Sequence, residues 1–517
     1  MPPTCIDAVV TEAARRHGDR IAWAMADNPF QRVTYREVAA AVEGLAAGLA
    51  ARGVGEGDRV VLVLPPGLAW PLLHLAAARL GAATAGINHR LTAAERSPMV
   101  ARVRPRLVIA ARGDVAGLAD VAGSAASAAW DVVAVDEAAG VAGLIGALGA
   151  RDDPRGTVAA APPPPAADPD RPVAICFTSG TTGTPKAAVF GWRQIEAITT
   201  IDTGWRWSVG GVGAMTTSFA HLGPMTKLAG SLVRGGTTHI LARWTPSAML
   251  ELVERAGVSV VGGVPTQIAM LLDHPDLARR DLSSVQMVVV GGAPATPTLL
   301  TRTRAAFNAP VCVRYSCTEA GIGLGTSPDD PVEVMTSTVG LPHAGVEVAV
   351  RDGSRDCAPG EVGNVLLRSA AAMSGYLDDP AATADAFTDD GWVRTGDVGW
   401  LDEDRRLHLA GRRGDEWIRG GHNVHPSEVE AVLADHPGIR AVAVVDAPDD
   451  VFGQVGAAFV VARHGAALSL DDLRLFAGDR LATHKLPERL HLVDALPQTP
   501  GNKLDRGALR AVAAANT

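Results

Sequence analysis

Short apolar runs alternate with amphipathic stretches along most of this 517-residue chain, and that alternation constrains the fold more than any other feature. The runs at residues 60–64, 107–110, 173–178, 258–261 and 285–290 are rich in Val, Leu and Ile. Between them, residues 35–52 and 246–256 carry apolar side chains at helical spacing. A short continuous apolar run reads as a strand buried on both faces, and strands that alternate with helices build layered α/β domains with mostly parallel sheets. From about residue 340 the period changes to two. GLPHAGVEVAVRD and GEVGNVLLRS alternate apolar and polar residues between Gly and Pro turns, which predicts a small antiparallel barrel or meander.

At roughly 100–200 residues per domain, the length allows two to four domains. The proline-rich stretch APPPPAADPDRP at 161–172 reads as a surface loop more readily than as a boundary. A boundary does fall near residues 412–414. Beyond it, residues 426–433 and 470–480 read as helices and 441–445 and 457–461 as strands, a module of about 100 residues with enough chain for its own core.

Composition removes whole classes of function. A hydrophobic fraction of 47% with 20% charged residues excludes wholesale disorder. The net charge of −9 gives no electrostatic footprint for nucleic acid or an anionic membrane. Cys5, Cys176, Cys312, Cys317 and Cys357 form no CxxC pair, which argues against a zinc knuckle or a disulfide framework and fits a reducing cytoplasm. The start, MPPTCIDAVVTEAARRHGDR, lacks the basic and apolar regions of a secretory signal. Residues 68–87 are the best candidate for a membrane span, but they carry His74 and Arg79 and read as a buried helix with its flanks.

Four motifs carry chemistry. TSGTTGTPK at 178–186 follows a predicted strand. Gly180 and Gly183 let the backbone approach an anion, Thr178, Ser179, Thr181 and Thr182 supply hydroxyl donors, and Lys186 adds a positive charge, so a phosphate chain is the natural guest. A plain surface turn is the bland alternative, and the concentration of donors argues against it. The loop is not a Walker P-loop, because Lys186 is followed by Ala187 and not by Ser or Thr. YSCTE at 315–319 places an aromatic ring, hydroxyls and a carboxylate at a strand end, where they can stack a base, touch a phosphate and hold a divalent cation. RTGD at 394–397, followed by Arg412, offers an aspartate on a tight turn that can accept from ribose hydroxyls. TPGNKL at 499–504 projects Lys503 on a Pro-Gly turn. Taken singly, the last three are equally well a buried tyrosine, an Asx turn and a solvated lysine.

Taken in order, TSGTTGTPK, YSCTE, RTGDVGWLDEDRRLHLAGR, IRGGHNVHPSEVE and PQTPGNKLDR resemble the motifs of the adenylate-forming superfamily, which includes acyl-CoA synthetases, luciferases and peptide-synthetase adenylation domains. The resemblance runs from about residue 9 to residue 509 and is greatest to the acyl-CoA synthetase branch. It implies an α/β fold with a large N-terminal domain, residues 1–413, made of layered α/β sheets plus a small β-barrel. A small mobile α+β C-terminal domain, residues 415–517, would pivot at Gly414. It also implies a cytoplasmic ligase that uses ATP, Mg2+ and coenzyme A. A carboxylic acid would be converted to an acyl-adenylate and then to a thioester, with a homodimer compatible and the oligomeric state open.

By matched position, the resemblance assigns Thr178, Ser179, Gly180, Thr181, Thr182, Gly183 and Lys186 to the β- and γ-phosphates. Gly291, Gly292 and Ala293 would line the adenine pocket and Tyr315 would stack on adenine. Thr318 would contact the α-phosphate, Glu319 would be the magnesium ligand, and Asp397 and Arg412 would hold the ribose. Lys503 would bridge carboxylate and phosphate during adenylation, a task suited to a compact charge on a flexible stem. His221 would stand beside the acyl and thiol channels, with a satisfied core histidine as its alternative. Gly420 and Gly421 would line the pantetheine tunnel after domain rotation, and Phe452 and Lys485 would contact CoA. The acyl pocket would draw on residues 205–230, 262–266, 291–294 and 316–325, with His221, Gly292, Ser316 and Cys317 among its lining. These segments read as apolar with no obvious anchoring cation or acid, so an aliphatic, aromatic or polycyclic acid is expected rather than an amino acid.

The chain departs from the family pattern at Gly414, where Asp or Lys is usual; at Ala187 and Ser316, where Gly is usual; and at His422, where Glu is frequent. Two readings follow. The adenylation half could be slow while thiol transfer stays intact, or the changes are drift, which the presence of Thr318, Glu319 and Lys503 favours. Transfer to a carrier-protein phosphopantetheine in place of CoA is the nearest rival. A nucleotide-binding pseudoenzyme and a P-loop NTPase are the rivals from other classes.

Overall fold

Val60 and Leu62 face one hydrophobic cluster, and Val61 and Val63 face another, so the strand Arg59–Val63 is buried on both sides as its unbroken apolar run predicts. This computed structural model describes residues 5–28, 30–115, 118, 130–136, 139–148, 160–178, 185–203, 210–419, 422–499 and 504–515. The strand lies in a seven-stranded sheet ordered Gly375–Tyr376, Ala187–Gly191, Pro172–Phe177, Ala83–Gly86, Arg59–Val63, Leu107–Ala111 and Asp131–Val135. The last five are mutually parallel, and the first two add antiparallel at one edge.

A nine-stranded sheet runs Leu341–Pro342, Leu324–Gly325, Val311–Tyr315, Met287–Gly291, Val260–Gly263, Val212–Met215, Thr237–Ile240, Ile21–Met25 and Arg32–Thr34. Its central strands are parallel. One large cluster contains Ala22 and Trp23 of this sheet and Val60 and Leu62 of the other, together with Val38, Val42, Leu45 and Leu49 of the helix Tyr35–Ala51 and Leu72 and Leu75 of the helix Ala69–Arg79. Helices therefore form a layer between the two sheets, each apolar stripe repeating at three and four residues. The helix Tyr35–Ala51 starts where predicted because Thr34 accepts from the Glu37 N–H while the Glu37 carboxylate accepts from the Thr34 N–H (2.7 Å).

The runs at 258–261 and 285–290 begin their strands two residues late. Val258 and Val285 are buried but precede the ladders, which extend instead into the glycines of Val260–Gly263 and Met287–Gly291. Residues 160–170 carry no helix or strand and lead directly into the strand Pro172–Phe177, so the proline-rich stretch is a loop within one domain. Residues 68–87 contain the eleven-residue helix Ala69–Arg79 and the strand Ala83–Gly86, with His74 fully buried against Thr84. Among the described residues no helix is long and apolar enough to cross a membrane.

The period-two segment forms a five-stranded antiparallel sheet ordered Arg355–Asp356, Val346–Asp352, Gly363–Ser369, Val393–Leu401 and Leu407–Arg412. Past Gly414, the strands His422–Val424, Trp417–Arg419, Gly453–Ala462 and Ile439–Asp449 form a fourth sheet, with Arg489–Leu492 beside the third of them. Helices Pro426–Leu433 and Leu470–Gly478 pack on one face around Trp417, Val444 and Val460. The helix Arg506–Ala515 covers the other face through Leu509 and Ala513. This unit has two hydrophobic clusters of its own.

Candidate active site

The strand ends carry the motifs. Thr178 follows Pro172–Phe177, Gly292 and Ala293 follow Met287–Gly291, and Ser316–Glu319 follow Val311–Tyr315. In open α/β sheets the carboxyl ends of parallel strands are where ligands bind, because helix starts and free backbone groups converge there. Gly292 has φ +81°, a left-handed conformation that an L side chain would strain.

The phosphate-loop motif is closed at its base. The Thr178 N–H donates to the Lys186 carbonyl (2.9 Å), and Phe177 pairs with Ala187. Ser179, Gly180, Thr181, Thr182 and Gly183 lie outside the described residues. Ala187 is fully buried in the core beneath the loop, so its methyl group is accommodated there.

The tyrosine and ribose motifs meet. The Tyr315 hydroxyl donates to Oδ2 of Asp397 (2.6 Å), and Nε of Arg412 lies 3.2 Å from Oδ1 of the same carboxylate. The ladder between Val393–Leu401 and Leu407–Arg412 pairs Asp397 directly with Arg412. The buried Thr395 hydroxyl accepts from the Asp397 N–H (3.1 Å). Burial and the Asp397 charge push the Tyr315 phenol well above its ordinary range, so it stays a donor.

A second carboxylate sits close by in sequence. Oε1 of Glu319 accepts from the Tyr376 hydroxyl (2.6 Å), and the Lys186 ammonium lies 5.1 Å from the centre of the Tyr376 ring. Thr318 caps the turn, its carbonyl accepting from the Gly321 N–H (3.2 Å). Among the described residues no group of three or more His, Cys, Asp and Glu side chains could cage a metal. Glu319 alone, next to a phosphate loop, suits an ion such as Mg2+ that keeps waters and is otherwise held by substrate phosphates.

His221 precedes the short helix Leu222–Thr226 and lines a cleft open to solvent. Met215, Thr216, Leu241, Trp244 and Val264 share its wall, with Asn88, His89 and Arg90 at one side. The sequence reading missed residues 88–90, Leu241, Ala242 and Trp244, and also Pro66 and Gln267. The first set follows the parallel strand Ala83–Gly86, so the strand-end rule alone would have pointed to it.

The expected acyl lining is brought together only in part. Gly292, Ser316 and Cys317 are not among the residues around that cleft. The Cys317 side chain packs instead against the antiparallel sheet, and burial pushes its thiol up. Ser316 is exposed and donates to the Cys317 carbonyl (3.1 Å), so its hydroxyl is occupied locally. The expectation of no cation or acid in these segments needs correction, since Arg206 and Lys227 fall within 205–230 and Glu319 within 316–325. Arg206 is outside the described residues. Lys227 lies 3.8 Å from Asp202, whose carboxylate Arg234 also contacts, so its charge is countered.

On the C-terminal unit, the Arg419 guanidinium stacks 3.9 Å from the centre of the Phe452 ring, and Lys485 pairs with Glu428 (2.6 Å). His422 stacks on His484 at 4.4 Å. Gly414 has φ +86° and nothing within 4 Å of where a Cβ would stand. Lys503, Gly420 and Gly421 lie outside the described residues.

Comparison with known proteins adds to this geometry. The profile of the AMP-binding enzyme family matches residues 10–377, and that of the AMP-binding enzyme C-terminal domain matches residues 428–503. The chain is 34% identical over 496 residues to 3-[(3aS,4S,7aS)-7a-methyl-1,5-dioxo-octahydro-1H-inden-4-yl]propanoyl:CoA ligase of Mycobacterium tuberculosis, covering 93% of this chain and 94% of that protein. It is 31% identical to the long-chain-fatty-acid–CoA ligase FadD13 of the same organism, covering 93% of each. The crystal structure of ATP-bound MatB from Rhodopseudomonas palustris superposes with a TM-score of 0.88 at 25% identity, over 98% of this chain and 99% of that one.

Proposed function

The chain belongs to the AMP-binding enzyme family and is an ATP-dependent acyl-CoA ligase, and from that premise we propose that its acid is hydrophobic and that the residues gathered at the strand ends carry two successive half-reactions. The observation that carries the site assignment is the Tyr315–Asp397–Arg412 contact, which joins a base-stacking ring to a ribose-binding pair.

A carboxylate is a poor electrophile because its oxygen is a poor leaving group. In the first half-reaction a carboxylate oxygen of the acid attacks the α-phosphorus of ATP, a new C–O–P linkage forms, and the bond to pyrophosphate breaks. Tyr315 holds the adenine, and Asp397 and Arg412 hold the ribose. Thr318 contacts the α-phosphate, and Thr178, Lys186 and the loop between them hold the outgoing phosphates. Lys503 bridges the attacking carboxylate and the phosphate. Cations aimed in advance at developing negative charge lower the barrier without reorganising at the moment of reaction. Mg2+, when bound at Glu319, neutralises phosphate charge.

In the second half-reaction the CoA thiol gives up its proton, its sulfur attacks the acyl carbon, the C–S bond forms, and the C–O bond to AMP breaks. His221 stands beside the channel this requires. The C-terminal unit turns about Gly414, so that Lys503 leaves and Gly420–Gly421 arrives against the pantetheine arm, with Phe452 and Lys485 toward the rest of CoA.

The cleft wall of Met215, Leu241, Trp244 and Val264 supports a hydrophobic acid, as do the bicyclic and long-chain acids in the names of the two relatives. Neither a carrier-protein acceptor nor a pseudoenzyme is favoured, since both relatives are CoA ligases matched along nearly their whole length. We read the departures at Ala187 and Ser316 as drift, because both side chains are accommodated locally. Five free thiols support a cytoplasmic enzyme, and a weak homodimer is the largest assembly we propose.

A panel of aliphatic, aromatic and polycyclic acids, incubated with ATP and CoA and read by mass for thioester, tests the proposal. Thioester from a hydrophobic member is expected. Thioester formed only from amino acids or short polar acids would overturn the assignment of the acid.

A further inference from the structure

The strand Gly375–Tyr376 belongs to none of the motifs read from the sequence, yet it touches two of them. Its backbone pairs antiparallel with the strand that leaves the phosphate loop, Tyr376 opposite Ala188 and Gly375 opposite Val189. The Leu377 N–H donates to the Ala187 carbonyl (2.8 Å), one residue beyond Lys186. Just before the strand, the Met373 N–H donates to the Glu319 carbonyl (2.8 Å). One short segment is thus hydrogen-bonded to the phosphate-loop exit at one end and to the metal carboxylate's own backbone at the other.

Its far end is pinned to the strand Arg59–Val63 and to the C-terminal end of the helix Ala93–Val103. Asp378, in a left-handed conformation at φ +51°, pairs with Arg59 (3.1 Å) and Arg104 (2.6 Å), and Asp379 pairs with Arg102 (2.5 Å). The Thr383 hydroxyl accepts from the Tyr376 N–H (2.8 Å). Tyr376 is 8% exposed, so its ring has little freedom to turn away. From this fixed backbone the hydroxyl reaches Glu319 and the ring face meets Lys186. A phenylalanine would fill the same space and keep the cation–ring contact, so packing does not account for the hydroxyl.

We propose that Tyr376 is a positioning residue that fixes the Glu319 carboxylate relative to the Lys186 ammonium, and so couples the metal-binding carboxylate to the phosphate loop. It acts through Glu319 and does not itself touch the reacting atoms. A carboxylate anchored through one oxygen meets the metal at a set angle, whereas an unanchored one must be ordered when the metal binds. The inference rests on Glu319 as the metal carboxylate, and the test separates the two.

The test compares Tyr376→Phe, Glu319→Gln and the unaltered full chain. Mn2+, standing in for Mg2+, is titrated by electron paramagnetic resonance in the presence of a non-hydrolysable ATP analogue. Thioester formation from pre-made acyl-adenylate is measured in parallel. Tyr376→Phe is expected to weaken Mn2+ binding by about ten-fold, as for loss of one charge-assisted hydrogen bond, and to leave thioester formation from the adenylate unchanged. Unchanged Mn2+ affinity in Tyr376→Phe, with a clear loss in Glu319→Gln, overturns the role of Tyr376 alone. Unchanged affinity in both variants overturns Glu319 as the metal carboxylate and the inference with it. Equal losses in metal binding and thiol transfer mark a purely structural tyrosine and also overturn the inference.

Discussion

The hydroxyl of Tyr315 lies 2.6 Å from Oδ2 of Asp397, although 82 residues separate them in the chain. The contact spans the joint between the nine-stranded sheet and the antiparallel sheet, so the proposed adenine and ribose subsites form one unit. Arg412, half exposed, closes the other side of the same carboxylate, while Asp397 is only 15% exposed. A partly buried carboxylate with a phenol on one oxygen and a guanidinium on the other is held in a single orientation before any ribose arrives.

That arrangement predicts a selective defect. Tyr315→Phe removes a hydrogen bond to a charged group, a loss of about 1.5–3 kcal/mol, which corresponds to roughly ten- to hundred-fold weaker ATP binding. Asp397→Asn should be at least as damaging, because it also breaks the Arg412 pair. Steady-state kinetics with varied ATP and with varied CoA check this. The KM for ATP rises in both variants while the KM for CoA stays level, and a parallel rise in both constants would argue for general misfolding.

Much of this was legible before any coordinates. The run around Val60–Val63 and the apolar spacing over residues 35–52 announce their elements because burial on two faces and a helical stripe are local properties. The helix Pro426–Leu433 was read to the residue, with Pro426 in its first turn, where the missing N–H costs nothing. What stayed hidden was long-range. Tyr376 lies in MSGYLDDP, a segment with no phosphate or base signature, and its meaning comes only from pairing with Ala188 and reaching Glu319. Cys317 was misplaced because neighbouring residues at a strand end can face different layers, and its side chain joins the antiparallel sheet. Asn88, His89 and Arg90 carry no motif, and only the parallel register of Ala83–Gly86 brings them to the cleft.

Lys503→Ala separates the half-reactions. A lysine that bridges the carboxylate and the α-phosphate is needed to form the adenylate and is not needed once it exists. Acid-dependent pyrophosphate exchange should therefore fall by about 10²-fold or more, in line with removal of a preorganised charge at a transition state. Thioester formation from pre-made acyl-adenylate should fall by less than about three-fold, since no group acting in that step is touched. Brisk exchange in the unaltered enzyme would also exclude a weakened adenylation half, whereas feeble exchange with the true acid would revive it.

Gly414 offers a test of the pivot. At φ +86° an alanine is strained by about 1–2 kcal/mol although its methyl group meets nothing, and proline, locked near φ −65°, cannot adopt the conformation at all. Gly414→Ala should therefore shift the balance of domain orientations with a small effect on the melting temperature. Gly414→Pro should make the rates of pyrophosphate exchange and of thiol transfer diverge by about ten-fold or more, because one orientation is lost. Matched rates in Gly414→Pro would place the pivot elsewhere.

Two buried histidines make stability depend on pH in a defined window. Burial pushes His74 down to about 4, and burial with the nearby charges of Arg314 and Lys227 pushes His343 down to about 4, from 6.5 in the unfolded chain. Between pH 6.5 and 4 the unfolded state binds more protons than the folded one, so stability is complete above 6.5 and is lost as the pH falls toward 4. Each group can remove about 1.4 kcal/mol per pH unit, on the order of 3 kcal/mol across the window. His74 has no partner for Nε2 among the described residues and meets Thr84 through Nδ1, so protonation there finds nothing to stabilise it. Urea midpoints measured at half-unit steps should fall steadily below pH 6.5. His74→Asn should flatten that slope, as expected when one such group no longer titrates. An unaltered slope in the variant would assign the acid sensitivity to the carboxylates instead.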